Sequence, residues 1–196
     1  MAGVRLVVLF SGRGSNLEAL IRRLHGREIA GRRVEVVAIT NNPDAGGLIR
    51  ARAYGVETAV VDHRRFPTRE AFDEVLVARI EAYRPDLVVL AGFMRILTPV
   101  FTSRIDAINL HPSLLPLFKG ADAIRQSFES GMKVGGVTIH RVTQELDSGE
   151  ILAQECVPRL AEDTLECFEA RIHALEHTLL PETVERLLRK GLDGAS

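Results

Sequence analysis

The feature that most constrains this chain is a set of short apolar runs that are hydrophobic throughout instead of at every second residue. They are Leu6–Phe10, Val34–Thr40, Thr58–Val61, Leu87–Leu90 and Ala107–Leu110. A strand that faces water on one side alternates apolar and polar residues, whereas a strand covered on both faces need not. Helical patterns lie between the runs, at Asn16–Leu24, Ala45–Ala53 and Thr68–Tyr83, with Pro85 ending the last. Strand and helix in alternation predict parallel strands joined by helical crossovers. The expected fold is therefore α/β, with a doubly wound, Rossmann-like N-terminal half.

The second half changes pattern. Val137–Val142 and Glu150–Val157, joined by Thr143–Gly149, predict an antiparallel strand pair. Leu165, Phe168, Ile172, Leu175 and Leu179 recur at spacings of three and four, which predicts a long helix with one buried stripe. Pro181 is expected to offset that stripe before Val184, Leu187 and Leu188 resume it. No repeat, low-complexity tract or linker interrupts the 196 residues. One domain built on a single, mostly parallel sheet is expected over 1–196, with 1–5 and 191–196 frayed.

Composition removes several function classes. With 25 basic against 26 acidic residues the net charge is −1, and a nucleic-acid backbone needs a large positive surplus in its partner. The run Leu6–Phe10 is too short for a signal peptide, and nothing approaches the about 20 apolar residues of a membrane-spanning helix. Cys156 and Cys167 have neither metal spacing nor a disulfide framework, so a reducing cytoplasm is the expected location. No Cys, His and acidic set has metal-ligand spacing, and none of the expected chemistry uses a metal.

Three places can carry chemistry. Ser11-Gly12-Arg13-Gly14-Ser15-Asn16 follows the first strand and opens the first helix. Glycines admit an anion close to the backbone, and a helix start offers free N–H groups and the positive dipole end. A tight strand–helix turn needs the same glycines, so that simpler reading stays open. The dinucleotide fingerprint wants a third glycine where Asn16 stands, which favours a monophosphate and disfavours a nicotinamide dehydrogenase. The second place is Asn109-Leu110-His111-Pro112 at the end of the fifth run. Asn109 and His111 are two apart on an extended segment and share a face, where an amide and an imidazole can hold an oxyanion and handle a proton. A hydrogen-bonded polar pair closing a strand accounts for them equally well. The third is Thr143-Gln144-Glu145-Leu146-Asp147, whose Asp147 can orient His111, although Asp147-Ser148-Gly149 is also ordinary turn composition. Arg69 at a helix start, the Met94-Arg95-Ile96-Leu97 segment, and the pair His173 and Glu176, three apart on the last helix, are weaker candidates.

Taken together, Ser11–Asn16, Leu90–Leu97, Asn109–Pro116, Glu145–Gly149 and Glu176-His177 followed by Pro181 resemble the ordered motifs of the folate-dependent formyltransferases. The Ser11–Asn16 opening is similar to that of the purine-pathway member of the family. The resemblance spans about Leu6 to Leu188. It implies formyl transfer from 10-formyltetrahydrofolate to the glycyl amine of glycinamide ribonucleotide. It further implies Asn109, His111 and Asp147 as the catalytic trio, and Gly14, Ser15, Asn16, His173 and Glu176 around the acceptor. Around the folate it implies Arg69, Met94, Arg95, Ile96, Leu97, Asn109 and Thr143–Asp147. Its partners are then small molecules, with no nucleic acid or membrane, and a homodimer is compatible with it. Gly120-Ala121-Asp122, Leu117-Phe118-Lys119 and Gln144 depart from the commoner family pattern. Methionyl-tRNA formyltransferase and formyltetrahydrofolate hydrolase share the core motifs but are expected to add a domain after or before it. A non-catalytic phosphate-binding module is the reading from another class.

Overall fold

Strand β1 (Val4–Phe10) lies between β3 (Arg32–Thr40) and β5 (Leu87–Leu90) and is parallel to both. Its side chains alternate between two cores: Val4, Leu6, Val8 and Phe10 on one face, Val7 and Leu9 on the other, all fully buried. That two-sided burial is why the run is apolar throughout. The computed structural model describes residues 3–193. Strands β4 (Glu57–Val60) and β6 (Ala107–His111) extend the parallel part, pairing with β3 and β5. Strands β7 (Val134–Arg141) and β8 (Ile151–Pro158) add an antiparallel pair beyond β6, as their spacing predicts. A two-residue strand absent from the sequence reading, β2 (Glu28–Ile29), pairs antiparallel with the start of β3. The sheet order is β2-β3-β1-β5-β6-β7-β8, with β4 also on β3.

Helices cover both faces. Helices α1 (Ser15–Leu24), α2 (Gly47–Ala53) and α6 (Leu165–Asp193) pack on the Leu6 and Phe10 face. Helices α3 (Arg69–Tyr83) and α4 (Pro99–Thr102) pack on the Val7 and Leu9 face. Helix α3 starts where the Thr68 hydroxyl accepts the Ala71 N–H at 3.1 Å, and ends at Arg84 in the left-handed region just before Pro85. The short helix α5 (Ala123–Glu129) follows the departure from family pattern near Lys119. No helix among the described residues is long and apolar enough to cross a membrane.

Two expectations need correcting. Pro181 does not offset the stripe of α6: the helix runs through it, and Phe168, Ile172, Glu176, Leu179, Leu180, Thr183, Val184 and Leu188 are buried in one succession. An interior proline costs about 3 kcal/mol, and here the packing of α6 on α1, β7 and β8 outweighs it. The chain is also ordered nearer its ends than expected. Val4 pairs with Val34 in the core, Arg5 N–H donates to Asp86 at 2.8 Å, and α6 carries Leu192 against the core. Residues 1, 2 and 194–196, also named as frayed, lie outside the described residues.

The contact of β7 with α6 depends on a missing side chain. A Cβ at Gly135 would lie 2.3 Å from Cζ of Phe168, whose ring is fully buried. Gly135→Ala is expected to lower the unfolding free energy in urea by roughly 1–3 kcal/mol, and an unchanged midpoint would show that α6 can yield there.

Candidate active site

Strands β4, β3, β1 and β5 end on the same edge of the sheet, and the turns after them line a cleft of about 610 Å³. The turn after β1 gives Ser11–Asn16, β3 gives Asn41 and Asn42, the 3₁₀ turn after β4 gives His63 and Arg64, and β5 gives Ala91, Gly92, Met94 and Arg95. The chain leaves β1 for β3 on one side and returns to β5 on the other, so the crossovers diverge here and open a crevice. Gly14 has φ +73 and a Cβ on it would meet Gly47 Cα at 2.6 Å, which is why glycine stands there. Among the described residues no side chain caps α1, so the N–H groups of its first turn keep their capacity for an anion. Asn16 Nδ2 donates to Glu176 Oε2 at 3.0 Å, and His173 Nδ1 lies 2.9 Å from the same oxygen. The buried Glu176 carboxylate raises the pKa of His173 above its ordinary value, against the opposing effect of burial. The structure thus brings Asn16 to a pair whose Glu176 lies 160 positions further along the chain. Asn16 Oδ1 is buried beside them, with no hydrogen-bond partner among the described residues.

A second cluster sits at the ends of β6 and β7. Asn109 and His111 share a face of β6 as their spacing predicts, with Asn109 opposite Leu90 on one side and His140 on the other. Asp147 Oδ2 lies 3.4 Å from His111 Nδ1, and its Oδ1 lies 3.5 Å from His140 Nε2. Burial resists ionisation of Asp147, yet donation from His140 and the Gly120 N–H, with the charge of His111, outweighs it. Its carboxyl is therefore held below the usual carboxylate range. His111 Nε2 is 2.8 Å from the Phe118 carbonyl, which can only accept, so Nε2 carries a proton. An imidazolium then meets both Phe118 and Asp147 with a donor, while a neutral ring serves one of them. His140 Nδ1 donates to the Arg141 carbonyl at 2.8 Å, and its Nε2 is 3.2 Å from Asn109 Nδ2. A neutral His140 accepts from Asn109, and a charged one donates towards Asp147.

Segment 117–122 lies over His111. Phe118, Gly120 and Asp122 all have positive φ, Gly120 N–H donates to Asp147 at 2.8 Å, and Lys119 reaches Ser148 and Glu145. The Leu114–Leu117 turn beneath is held by Thr138 Oγ1, which donates to Ser113 O at 2.6 Å and accepts Leu115 N–H at 3.1 Å. His111 and Asp147 are consequently buried and do not line the cleft, although Asn109 pairs with the strand that leads into it.

Other candidates are scattered. Met94 and Arg95 line the cleft, Ile96 is exposed beside them, and Leu97 packs towards α3. Thr143, Gln144, Glu145 and Leu146 are exposed, leaving Asp147 as the one buried residue of its loop. Arg69 is exposed at the start of α3 and is not among the cleft residues. Sequence reasoning missed His140, whose signal was a histidine inside an apolar strand, and Asn41, which carried none. His63, which lines the cleft, is a further residue that carried no signal in the sequence. No group of three or more His, Cys, Asp or Glu among the described residues is arranged to hold a metal.

Comparison with known proteins gives concordant likenesses. The formyl transferase family matches residues 4–184. Phosphoribosylglycinamide formyltransferase of Escherichia coli is 43% identical over 180 residues, covering 91% of this chain and 84% of that protein. The trifunctional purine biosynthetic protein adenosine-3 of Bos taurus is 39% identical over 92% of this chain, which spans 18% of that longer protein. The crystal structure of phosphoribosylglycinamide formyltransferase from Campylobacter jejuni has a TM-score of 0.91 and 51% identity, covering 94% of this chain and 97% of that one.

Because the folded pKa of Asp147 is depressed, its ionisation stabilises the fold above the unfolded-state value and that contribution is lost as pH falls through the folded value. Wild type is expected to exceed Asp147→Asn in unfolding free energy at about pH 5–6, with the gap shrinking below about pH 4. A gap that widens in acid would show that the carboxyl is not held ionised. Denaturant titrations of both proteins across this range are the measurement.

Proposed function

The chain belongs to the formyl transferase family, and on that premise we propose that it carries the formyl group of 10-formyltetrahydrofolate to the glycyl amine of phosphoribosylglycinamide, a step of purine synthesis. The names of the relatives supply the acceptor and the transferred group, and the motif resemblance implies the folate donor. The observation that carries the chemistry is the Asn109, His111 and Asp147 cluster beside a cleft that offers an uncapped helix end.

The acceptor phosphate sits on the N–H groups of Gly14, Ser15 and Asn16, where the helix dipole favours negative charge. Glu176 and His173, tied to Asn16, hold the rest of the acceptor, and the Met94–Leu97 segment, Arg69 and the Thr143–Asp147 loop flank the folate. The amine forms a bond to the formyl carbon while charge gathers on the formyl oxygen. Asn109 Nδ2 and His111 Nε2 are the donors for that oxygen. The Phe118 carbonyl occupies Nε2 in this structure, so productive binding exchanges it for the formyl oxygen. Collapse breaks the bond from carbon to the folate nitrogen, which takes the proton that the amine loses. Asp147, with Oδ2 at 3.4 Å from Nδ1, keeps the His111 ring oriented.

Release of tetrahydrofolate, followed by absorbance with both substrates present, tests the proposal directly; binding without turnover would leave a phosphate-binding module instead. Asp147→Asn is expected to lower kcat by roughly 10²- to 10⁴-fold with both KM values little changed. Gly14→Ala, strained at φ +73 and forced against Gly47, is expected to raise the acceptor KM far more than the folate KM. Equal damage to both would move the phosphate elsewhere.

A further inference from the structure

We propose that Ser11 is a positioning residue that couples the two halves of the site, so that a filled acceptor half tightens the folate half and the reverse. This role rests on the two substrates proposed above.

Ser11 is the first residue after β1. Its N–H donates to the Gly92 carbonyl at 3.1 Å, and its hydroxyl accepts the Met94 N–H at 2.7 Å while donating to Asn41 Oδ1 at 2.6 Å. One residue thereby ties the acceptor loop to the folate segment and braces both on the end of β3. Among the described residues, the hydroxyl makes the only side-chain hydrogen bond between loop 11–16 and segment 91–97. Packing holds the neighbours Phe93 and Leu97 in the core on the α3 side, whereas Met94, 77% exposed, has this hydroxyl as its tie to the acceptor loop. Gly92 turns the chain at φ +76, and among the described residues the backbone between Met94 and Leu97 adds only the bond from Arg95 N–H to Phe93 O. The far end of the segment has a separate pin. Asp73 Oδ2 accepts the Thr98 N–H at 2.6 Å and its hydroxyl at 2.7 Å, and Asp73 belongs to α3, away from the acceptor loop. The Ser11 hydroxyl is therefore the side-chain link through which order in one half reaches the other. A ligand that immobilises one half reduces the entropy that the second ligand must give up, and the effect is reciprocal.

Calorimetric titration with glycinamide ribonucleotide, in the absence and presence of saturating tetrahydrofolate, reads the coupling. Tetrahydrofolate carries no formyl group, so the ternary complex forms without turnover. Wild type is expected to bind the acceptor at least about fivefold more tightly when the folate is present. Ser11→Ala is expected to bring that ratio close to one, the loss of about fivefold that a single net hydrogen bond represents. Each binary affinity is measured separately, so that a general loss is told apart from a loss of the ratio, and Ser11→Thr, which keeps the hydroxyl, should restore the ratio. Ser11→Cys keeps the bulk and weakens the bond, and it decides the matter if the alanine variant does not fold. A ratio unchanged in Ser11→Ala, with both binary affinities falling together, overturns the coupling role and leaves Ser11 structural. A ratio of one in a wild type that does turn over also overturns it. A wild type that turns over neither substrate removes the functional proposal, and the coupling with it.

Discussion

Strand β1 is paired on both edges and buried on both faces, and the rest of the structure follows from that confinement. A strand with no free edge and no wet face can meet solvent at its ends alone. At its carboxyl end the chain must turn, and neighbouring crossovers lead away to opposite sides. The turn needs a left-handed residue and close approach to Gly47, which fixes Gly14, and it delivers the uncapped start of α1 to the opening. The cleft is the space that a doubly wound sheet leaves unfilled there, lined by the turns of four adjacent strands.

Next to this opening the sheet buries charge. Asp147 is a loop residue placed where desolvation opposes its ionisation, and it is tolerated because the Gly120 N–H donates to it while the His111 and His140 imidazoles face it from β6 and β7. A buried carboxylate without such partners would take up a proton. The imidazoles are themselves constrained: the Phe118 and Arg141 carbonyls each fix a proton on one ring nitrogen and leave the other nitrogen facing Asp147. Glu176 is likewise buried and meets Asn16 of α1 and His173 of its own helix α6. Both carboxylates are local in sequence to one partner at most, so the folded sheet has to assemble their surroundings.

Much was legible in the sequence because its causes are local. Continuous apolar runs report two-sided burial, so the parallel strands from β1 to β6 stand where they were expected, with ends shifted by a residue or two. The spacing of Asn109 and His111 placed both on one face of β6. The positions of Gly14 and Pro85 follow from backbone dihedrals that few residues adopt. Pro181 was misread because its local effect, a lost hydrogen bond, is smaller than the packing of a 29-residue helix on two strands and α1.

What the sequence determined by itself, then, is the α/β class, the order of strands and helices, and the residues able to carry chemistry, since periodicity and turn geometry act over a few residues. The tertiary structure decided which of those residues meet. It set Asp147 between His111 and an unforeseen His140, joined Asn16 to Glu176, left Arg69 outside the cleft lining, and laid the Phe118 carbonyl on the imidazole. These contacts depend on strand order and on how segment 117–122 crosses the sheet edge. Both are set by burial and hydrogen-bond satisfaction summed over the whole chain, and no short stretch of sequence encodes them.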